Sequence, residues 1–144
     1  NHLEARLDRS QAYIYIEIDR AAREDLGGAL ELDPDNTDAL FNRALLYEYG
    51  EQYPRALLDY DKVIELLPED ADAYYSRANI KMLLDNSGSA LLDLDKAINL
   101  DSSNIEYFKL RGNIRYQLGN TSGACSDWNQ AKSMGDTKAD YFIK

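Results

Sequence analysis

The residues able to carry chemistry are few and badly placed for it. The single histidine, His2, stands beside the first residue, where no pocket can hold it as a general base. The single cysteine, Cys125, follows a recurrent alanine, and a thiol there reads as a small packing residue rather than a nucleophile. No Cys/His spacing suits zinc. Asp33-Pro34-Asp35-Asn36-Thr37-Asp38 has the oxygen donors of a calcium loop. It lacks the glycine at the sixth place, and Ala44 stands where the closing glutamate is needed. Gly27-Gly28 has no strand before it and no lysine after it, so it is no phosphate loop. Carboxylates abound, but without a pocket to perturb them they carry no catalytic signal. These absences predict a segment with no enzyme activity, no metal and no cofactor.

One charged pattern is regular. Arg9, Arg43, Arg77 and Arg111 recur every 34 residues, and Asp25, Asp59, Asp93 and Asp127 recur with them. Such columns could form a ladder of charge that binds a ligand. They could also form an ion pair repeated between packed helices. The second reading is the stronger, because pairing is how a charge survives beside a core. It predicts that most of these eight side chains are substantially buried and paired. Partnership within one copy and partnership with the next copy both fit the spacing.

The same period organises everything else. Ala22, Ala56, Ala90 and Ala124 align, as do Leu32, Leu66, Leu100 and Met134, without one insertion or deletion. Within each copy, apolar residues recur at helical spacing twice, for example Ala39, Leu40, Ala44 and Tyr47, then Ala56, Tyr60, Val63 and Ile64. Breaks fall at Asp33-Pro34-Asp35-Asn36, Gly50 to Pro54, Leu67-Pro68, Asp85-Asn86-Ser87-Gly88, Asp101-Ser102-Ser103-Asn104 and Gly119-Asn120-Thr121-Ser122. These residues cap helices and make turns, and Gly50 is suited to end a helix. The predicted helices span 3–17, 20–32, 37–49, 54–66, 71–84, 88–99, 105–118 and 121–134.

The pattern resembles the tetratricopeptide repeat, a 34-residue helix–turn–helix unit. Counted from Leu3, Thr37, Ala71 and Ile105, a large residue stands at position 4 in Leu40, Tyr74 and Phe108. A small residue stands at position 8 in Ser10, Ala44, Ala78 and Gly112, and alanine holds position 20 in all four copies. Position 24 is bulky in Leu26, Tyr60, Leu94 and Trp128. Small residues let paired helices approach, and large ones fill the space beside them. Departures are local. Arg6 occupies position 4 of the first copy, Lys81 and Arg115 replace the tyrosine found at position 11 in Tyr13 and Tyr47, and Gly27-Gly28 weakens the first copy's second helix. The resemblance implies an all-α solenoid, a right-handed superhelix of four units (3–36, 37–70, 71–104 and 105–138), with 139–144 starting a capping helix. Ala124-Cys125-Ser126-Asp127-Trp128, with Gly135 after it, resembles bacterial members, which leaves the cytoplasm and export both open.

The 144 residues carry 26 acids against 16 bases, a net charge of −10 that repels phosphate backbones and argues against nucleic acid. No apolar run approaches the roughly 20 residues of a membrane span. The chain opens on Asn1 rather than methionine, which reads as a processed or excised piece.

The resemblance further implies an extended concave face lined by the first helix of each unit. Its lining would include Leu7, Gln11 and Tyr15, then Phe41, Asn42, Leu45 and Tyr49, then Tyr75, Asn79 and Met82, and finally Lys109, Asn113 and Tyr116. Leu110 falls on the same implied lining. Apolar and aromatic residues on an open face point to a binding site, although some can instead pack on neighbouring helices. The asparagines can bond the backbone of a bound chain. Position 2 is acidic in Glu4, Asp38, Asp72 and Glu106, which either selects a basic ligand or complements each helix dipole. The family's clamp for a C-terminal carboxylate is met only at Lys109 and Asn113, while its other positions hold Leu7, Asp72, Ser76, Glu106 and Leu110, so that ligand is disfavoured. The expected partner is an apolar or aromatic peptide with basic flanks. The rival expectation is a structural spacer or homo-oligomerisation element of a larger protein.

Overall fold

The computed structural model describes residues 20–136; the expected helix over 3–17 and the capping segment 139–144 lie outside the described residues. Within 20–136 there are seven helical segments and no strand: α1 over 20–32, α2 (Thr37–Tyr49), α3 (Tyr53–Leu66), α4 (Ala71–Leu83), α5 (Ser87–Leu100), α6 (Ile105–Gln117) and α7 (Thr121–Ser133). The C-terminal end of α1 and both ends of α2 to α7 fall within one residue of the predicted spans. The chain divides into two compact units, Asn1–Lys62 and Val63–Lys144.

Local chemistry explains the boundaries. At the first turn of a helix the backbone N–H groups lack partners, and a short polar side chain supplies one. Asn36 accepts from the Ala39 N–H at 2.9 Å, Asp70 from Ala73 at 3.0 Å, Asn104 from Glu106 at 3.0 Å and Asn120 from Gly123 at 2.9 Å. Asn86, expected to do the same for α5, makes no such side-chain bond.

The turns inside the hairpins are nearly identical. Gln52 donates its N–H to the Tyr47 carbonyl, Asn86 to Lys81 and Asn120 to Arg115, each at 2.8 Å. This bond, spanning six residues, closes a helix when the residue before the donor is left-handed. Those residues are Glu51 (φ 55°), Asp85 (φ 58°) and Gly119 (φ 79°). Gly50 therefore does not end α2 through glycine's freedom as expected. Its φ is an ordinary −83°, and Glu51 bears the left-handed strain instead.

In the first unit, α2 and the part of α3 up to Lys62 are joined by side chains. Phe41 meets Tyr60 edge to face, with ring centroids 5.4 Å apart. The Tyr60 hydroxyl donates to Glu48 at 3.1 Å, and Lys62 pairs with Asp35 at 3.3 Å. Ala44, Ala56 and Tyr60 have no exposed surface.

In the second unit, α4 pairs with α5 and α6 with α7, while α6 also packs on α4 and α5. The core gathers Ala78, Ala90, Leu94, Ala97, Tyr107, Leu110 and Ile114. The alanines let the helices close up, and Leu94 and Ile114 fill what remains. Gly112 takes this furthest. A Cβ there would come within 2.6 Å of the Trp128 indole nitrogen, so the glycine is what admits the indole against α6.

Candidate functional site

The charged columns are structural supports on the described residues. The Arg43 Nε and Nη2 donate to the two oxygens of Asp59, both at 2.7 Å. Arg77 grips Asp93 in the same forked way at 2.9 and 2.6 Å. Arg111 does so with Asp127 at 3.1 and 2.7 Å. Each bond joins residues 16 apart, so the partnership lies within a single helical hairpin. The three aspartates are buried and the three arginines half-buried. Fork-to-fork geometry is what lets a carboxylate lose its water beside a core. Asp25 departs from the expected burial. It lies exposed on α1, and its expected partner Arg9 lies outside the described residues.

A second cation was not anticipated. Lys81 donates to Asp93 at 2.7 Å and Arg115 to Asp127 at 2.8 Å. Arg111 also reaches Asp95 of the preceding hairpin at 2.6 Å, so one guanidinium ties two hairpins together. Its pKa is pulled down by burial, but hydrogen bonds to Asp127 and Asp95 more than offset this and hold it above the ordinary value. The hydrogen bond to Asp59 raises Arg43 likewise. The aromatic residues at position 4 add a surface for these cations, with Arg77 5.5 Å over the Tyr74 ring and Arg111 5.6 Å over Phe108.

The expected lining residues divide into three kinds. Leu7, Gln11 and Tyr15 lie outside the described residues, as do Glu4 and His2. Exposed are Asn42, Tyr49 (84%), Asn113 and Tyr116 (58%). Half-buried are Phe41, Leu45, Tyr75, Asn79, Met82 and Lys109. Of these, Phe41 leans on Tyr60, Tyr75 lies 5.2 Å from the Tyr107 ring, and Met82 packs on the second unit's core. Leu110 is a correction. Expected on the lining, it is buried in that core. Cys125 is the reverse correction, half-buried rather than a core residue.

Two of the acids at position 2 are engaged inside the chain. Asp72 accepts a hydrogen bond from the Tyr107 hydroxyl, which links α4 to α6. Burial, and then this bond, push the Tyr107 pKa well above its ordinary value. Glu106 holds Lys109 at 2.8 Å, and the bond raises the Lys109 pKa. Each acid also sits in the first turn of its helix, where the dipole favours it. Nothing in the sequence marked the Tyr107 bond except the size of that residue, since position 3 holds alanine in Ala39 and Ala73.

Among the described residues no group of three His, Cys, Asp or Glu side chains could hold a metal, and no buried side-chain nitrogen or oxygen lacks a hydrogen-bond partner. None of the helices searched is long and apolar enough to cross a membrane.

Comparison with known proteins places this arrangement. Two family models described as tetratricopeptide repeat match residues 28–57 and 71–104. The second match coincides with one whole period of the chain. Comparison with curated protein sequences gives no match. Among solved structures, MamA residues 41 to the end from Desulfovibrio magneticus RS-1 superpose with a TM-score of 0.78 at 20% identity, covering 88% of this chain and 72% of that one. The first tetratricopeptide domain of Spaghetti (RPAP3), bound to an HSP90 peptide, superposes at 0.70 with 21% identity, covering 76% and 88%. The Arabidopsis OM64 tetratricopeptide domain superposes at 0.70 with 23% identity, covering 74% and 89%.

Proposed function

The chain is a tetratricopeptide repeat protein, and from that premise we propose that it is a non-catalytic protein-interaction module. Its ligand is an apolar or aromatic peptide segment received on the exposed face of the first helix of each repeat, with repeat boundaries at 37, 71 and 105. The observation that carries this reading is the recurrence of one partly open stripe. Asn42, Leu45 and Tyr49 on α2, Tyr75, Asn79 and Met82 on α4, and Lys109, Asn113 and Tyr116 on α6 each follow the spacing of a single helical face. Each stripe keeps a large apolar or aromatic side chain at least partly open, which an isolated helix face in water has no reason to retain. A similar solved structure that holds an HSP90 peptide supports a peptide as the ligand, without bearing on its apolar or aromatic character. Basic flanks on the ligand would meet Asp38, because Asp72 and Glu106 already have partners.

The test is a fluorescence-anisotropy titration of a labelled peptide library against the purified chain. Wild type captures apolar or aromatic sequences, and the double substitution Tyr49→Ala, Tyr116→Ala lowers capture at least tenfold. Unchanged capture by the double variant refutes the face named here.

A second reading has its own observation. Leu58 on α3 and Leu92 on α5 occupy the same repeat position and are each about 70% exposed, at 69% and 71%. A structural or self-associating role would use them. Light scattering through a dilution series distinguishes it: a concentration-dependent dimer lost on Leu58→Lys or Leu92→Lys favours association of copies.

A further inference from the structure

The fourth repeat contains a small device that the other described repeats lack. Trp128 on α7 is buried and lies edge-on against the α6 backbone, in the opening left by Gly112. From there its indole N–H donates to Asn113 Oδ1 at 3.2 Å. An indole nitrogen can only donate, so it fixes which way the carboxamide faces. The acceptor end of Asn113 is turned inward, and its NH2 group, with two donors, faces away from Trp128. Asn113 itself is exposed, and among the described residues no side chain takes up that NH2. Tyr116, three residues on, tilts over the indole at 5.7 Å between ring centroids and leaves more than half of its own surface open. In the second and third repeats, position 8 is alanine rather than glycine, and position 24 holds Tyr60 and Leu94. In the second repeat position 9 is Leu45 and Tyr60 donates to Glu48, and in the third position 9 is Asn79 but Leu94 has nothing to donate.

We propose that Trp128 is a positioning residue that makes the Asn113–Tyr116 face of α6 a donor-only subsite. It reads a hydrogen-bond acceptor of a bound peptide placed beside a large apolar side chain that rests on Tyr116. The acceptor is either a main-chain carbonyl or a side-chain oxygen. A freely turning asparagine would offer donor and acceptor alike and discriminate neither, whereas a tethered one excludes ligands that present a donor at that place. Lys109, one turn earlier, is held by Glu106 and so adds no net positive charge that would make the choice electrostatic. This inference rests on the interaction-face reading above.

The experiment uses a cellulose-bound array of 13-residue peptides carrying one fixed tyrosine, with every other position varied through all residue types. It is probed with the whole chain as wild type, Asn113→Asp and Trp128→Phe. Asn113→Asp keeps an acceptor toward the indole and removes the NH2; Trp128→Phe keeps an aromatic ring and removes the N–H. Wild type favours Asn, Gln, Asp or Glu over Lys and Arg at one register from the tyrosine if a side chain supplies the acceptor. If the main chain supplies it, no register stands out and Asn113→Asp lowers capture of all sequences at least fivefold. In the side-chain case Asn113→Asp reverses the preference toward Lys and Arg, and Trp128→Phe weakens it about threefold. A nitrogen–proton correlation spectrum supplies a readout that packing alone would not move. The indole N–H resonance shifts in Asn113→Leu while the rest of the α7 resonances hold.

Asn113→Asp with wild-type capture and preference overturns this inference alone. An indole resonance indifferent to Asn113→Leu does the same. Failure of wild type to capture any peptide removes the interaction-face reading and this inference together.

Discussion

The hairpin of α2 and α3 and the two hairpins that follow solve one problem in two ways. Each buries an aspartate under a forked arginine. In the first unit, position 11 is Tyr47, and the second cation, Arg55, comes from α3 and lies 5.7 Å over the tyrosine ring. In the second unit, position 11 is itself a cation, Lys81 or Arg115, and bonds the buried carboxylate directly. Where Arg55 would stand, Ser89 and Gly123 leave room. The lesson is that a buried charge sets how many polar neighbours its surroundings must keep, while leaving open which helix provides them. The tyrosine solution spends the second cation on an aromatic face. The other spends it on Asp93 or Asp127, and the aspartate is tied from two turns of the partner helix.

The comparison breaks first at the aspartates. Asp127→Ala leaves Arg115 half-buried without a partner and Arg111 with Asp95 alone, and should lower stability by about 3–5 kcal/mol in urea denaturation. Asp59→Ala strands only Arg43 and should cost less, on the order of 2–3 kcal/mol. Equal losses would show that the second cation adds nothing. Next in size is Gly112→Ala, whose methyl group meets the indole of Trp128 and should cost about 1–3 kcal/mol. Ala78→Gly at the same position of the preceding hairpin tests the converse, a loss of about 1–2 kcal/mol from helix propensity and the packed methyl group together.

The third test is pH. The Tyr107 pKa is raised in the folded chain by burial and by its bond to Asp72. A raised pKa means that the stabilisation is complete below the ordinary value of 10.0 and fades as pH climbs beyond it. Wild type should therefore lose stability above that pH more steeply than Tyr107→Phe, measured by thermal melting, whereas the second and third repeats have no counterpart because Ala39 and Ala73 occupy that repeat position. Parallel melting curves would remove the Asp72–Tyr107 link between α4 and α6. The smallest effect is at the turns. Glu51→Gly should stabilise by up to about 1 kcal/mol, because glycine adopts φ near 55° without the clash that a Cβ makes. Asp85→Gly should gain less, since a short polar side chain tolerates that region better.

Much of this architecture could be read from residue types alone. The alanines at 56, 90 and 124 announced close helix contact, and Asn36, Asn104 and Asn120 marked helix starts, because capping depends on a few residues in a row. The Arg–Asp pairing was also legible as a pattern, since its period survives any detail of packing. What stayed hidden depends on where side chains from different hairpins arrive. Nothing about Arg111 says that it reaches Asp95, and nothing about Asn113 says that an indole will claim its oxygen. Glu51 was hidden for another reason, for glycine next door was the better candidate for its backbone and the chain put the strain on a glutamate. Leu110 and Cys125 exchanged places with expectation because one helical face turns gradually from core to solvent, and a position number cannot say where the edge falls.

The tie from Arg111 to Asp95 has a genealogical meaning. It runs from the first helix of the fourth repeat back to the second helix of the third, so the fourth repeat bears a plug and the third a socket. Asp61 stands at the socket position of the second repeat, whereas Gly27 and Asn129 leave that position without an acid in the first and fourth. A stretch of gene copied in tandem brings both halves of such a fastening along with it. A lineage that copies the second or third repeat can thus lengthen by a whole repeat and find its new junction already furnished with opposite charges.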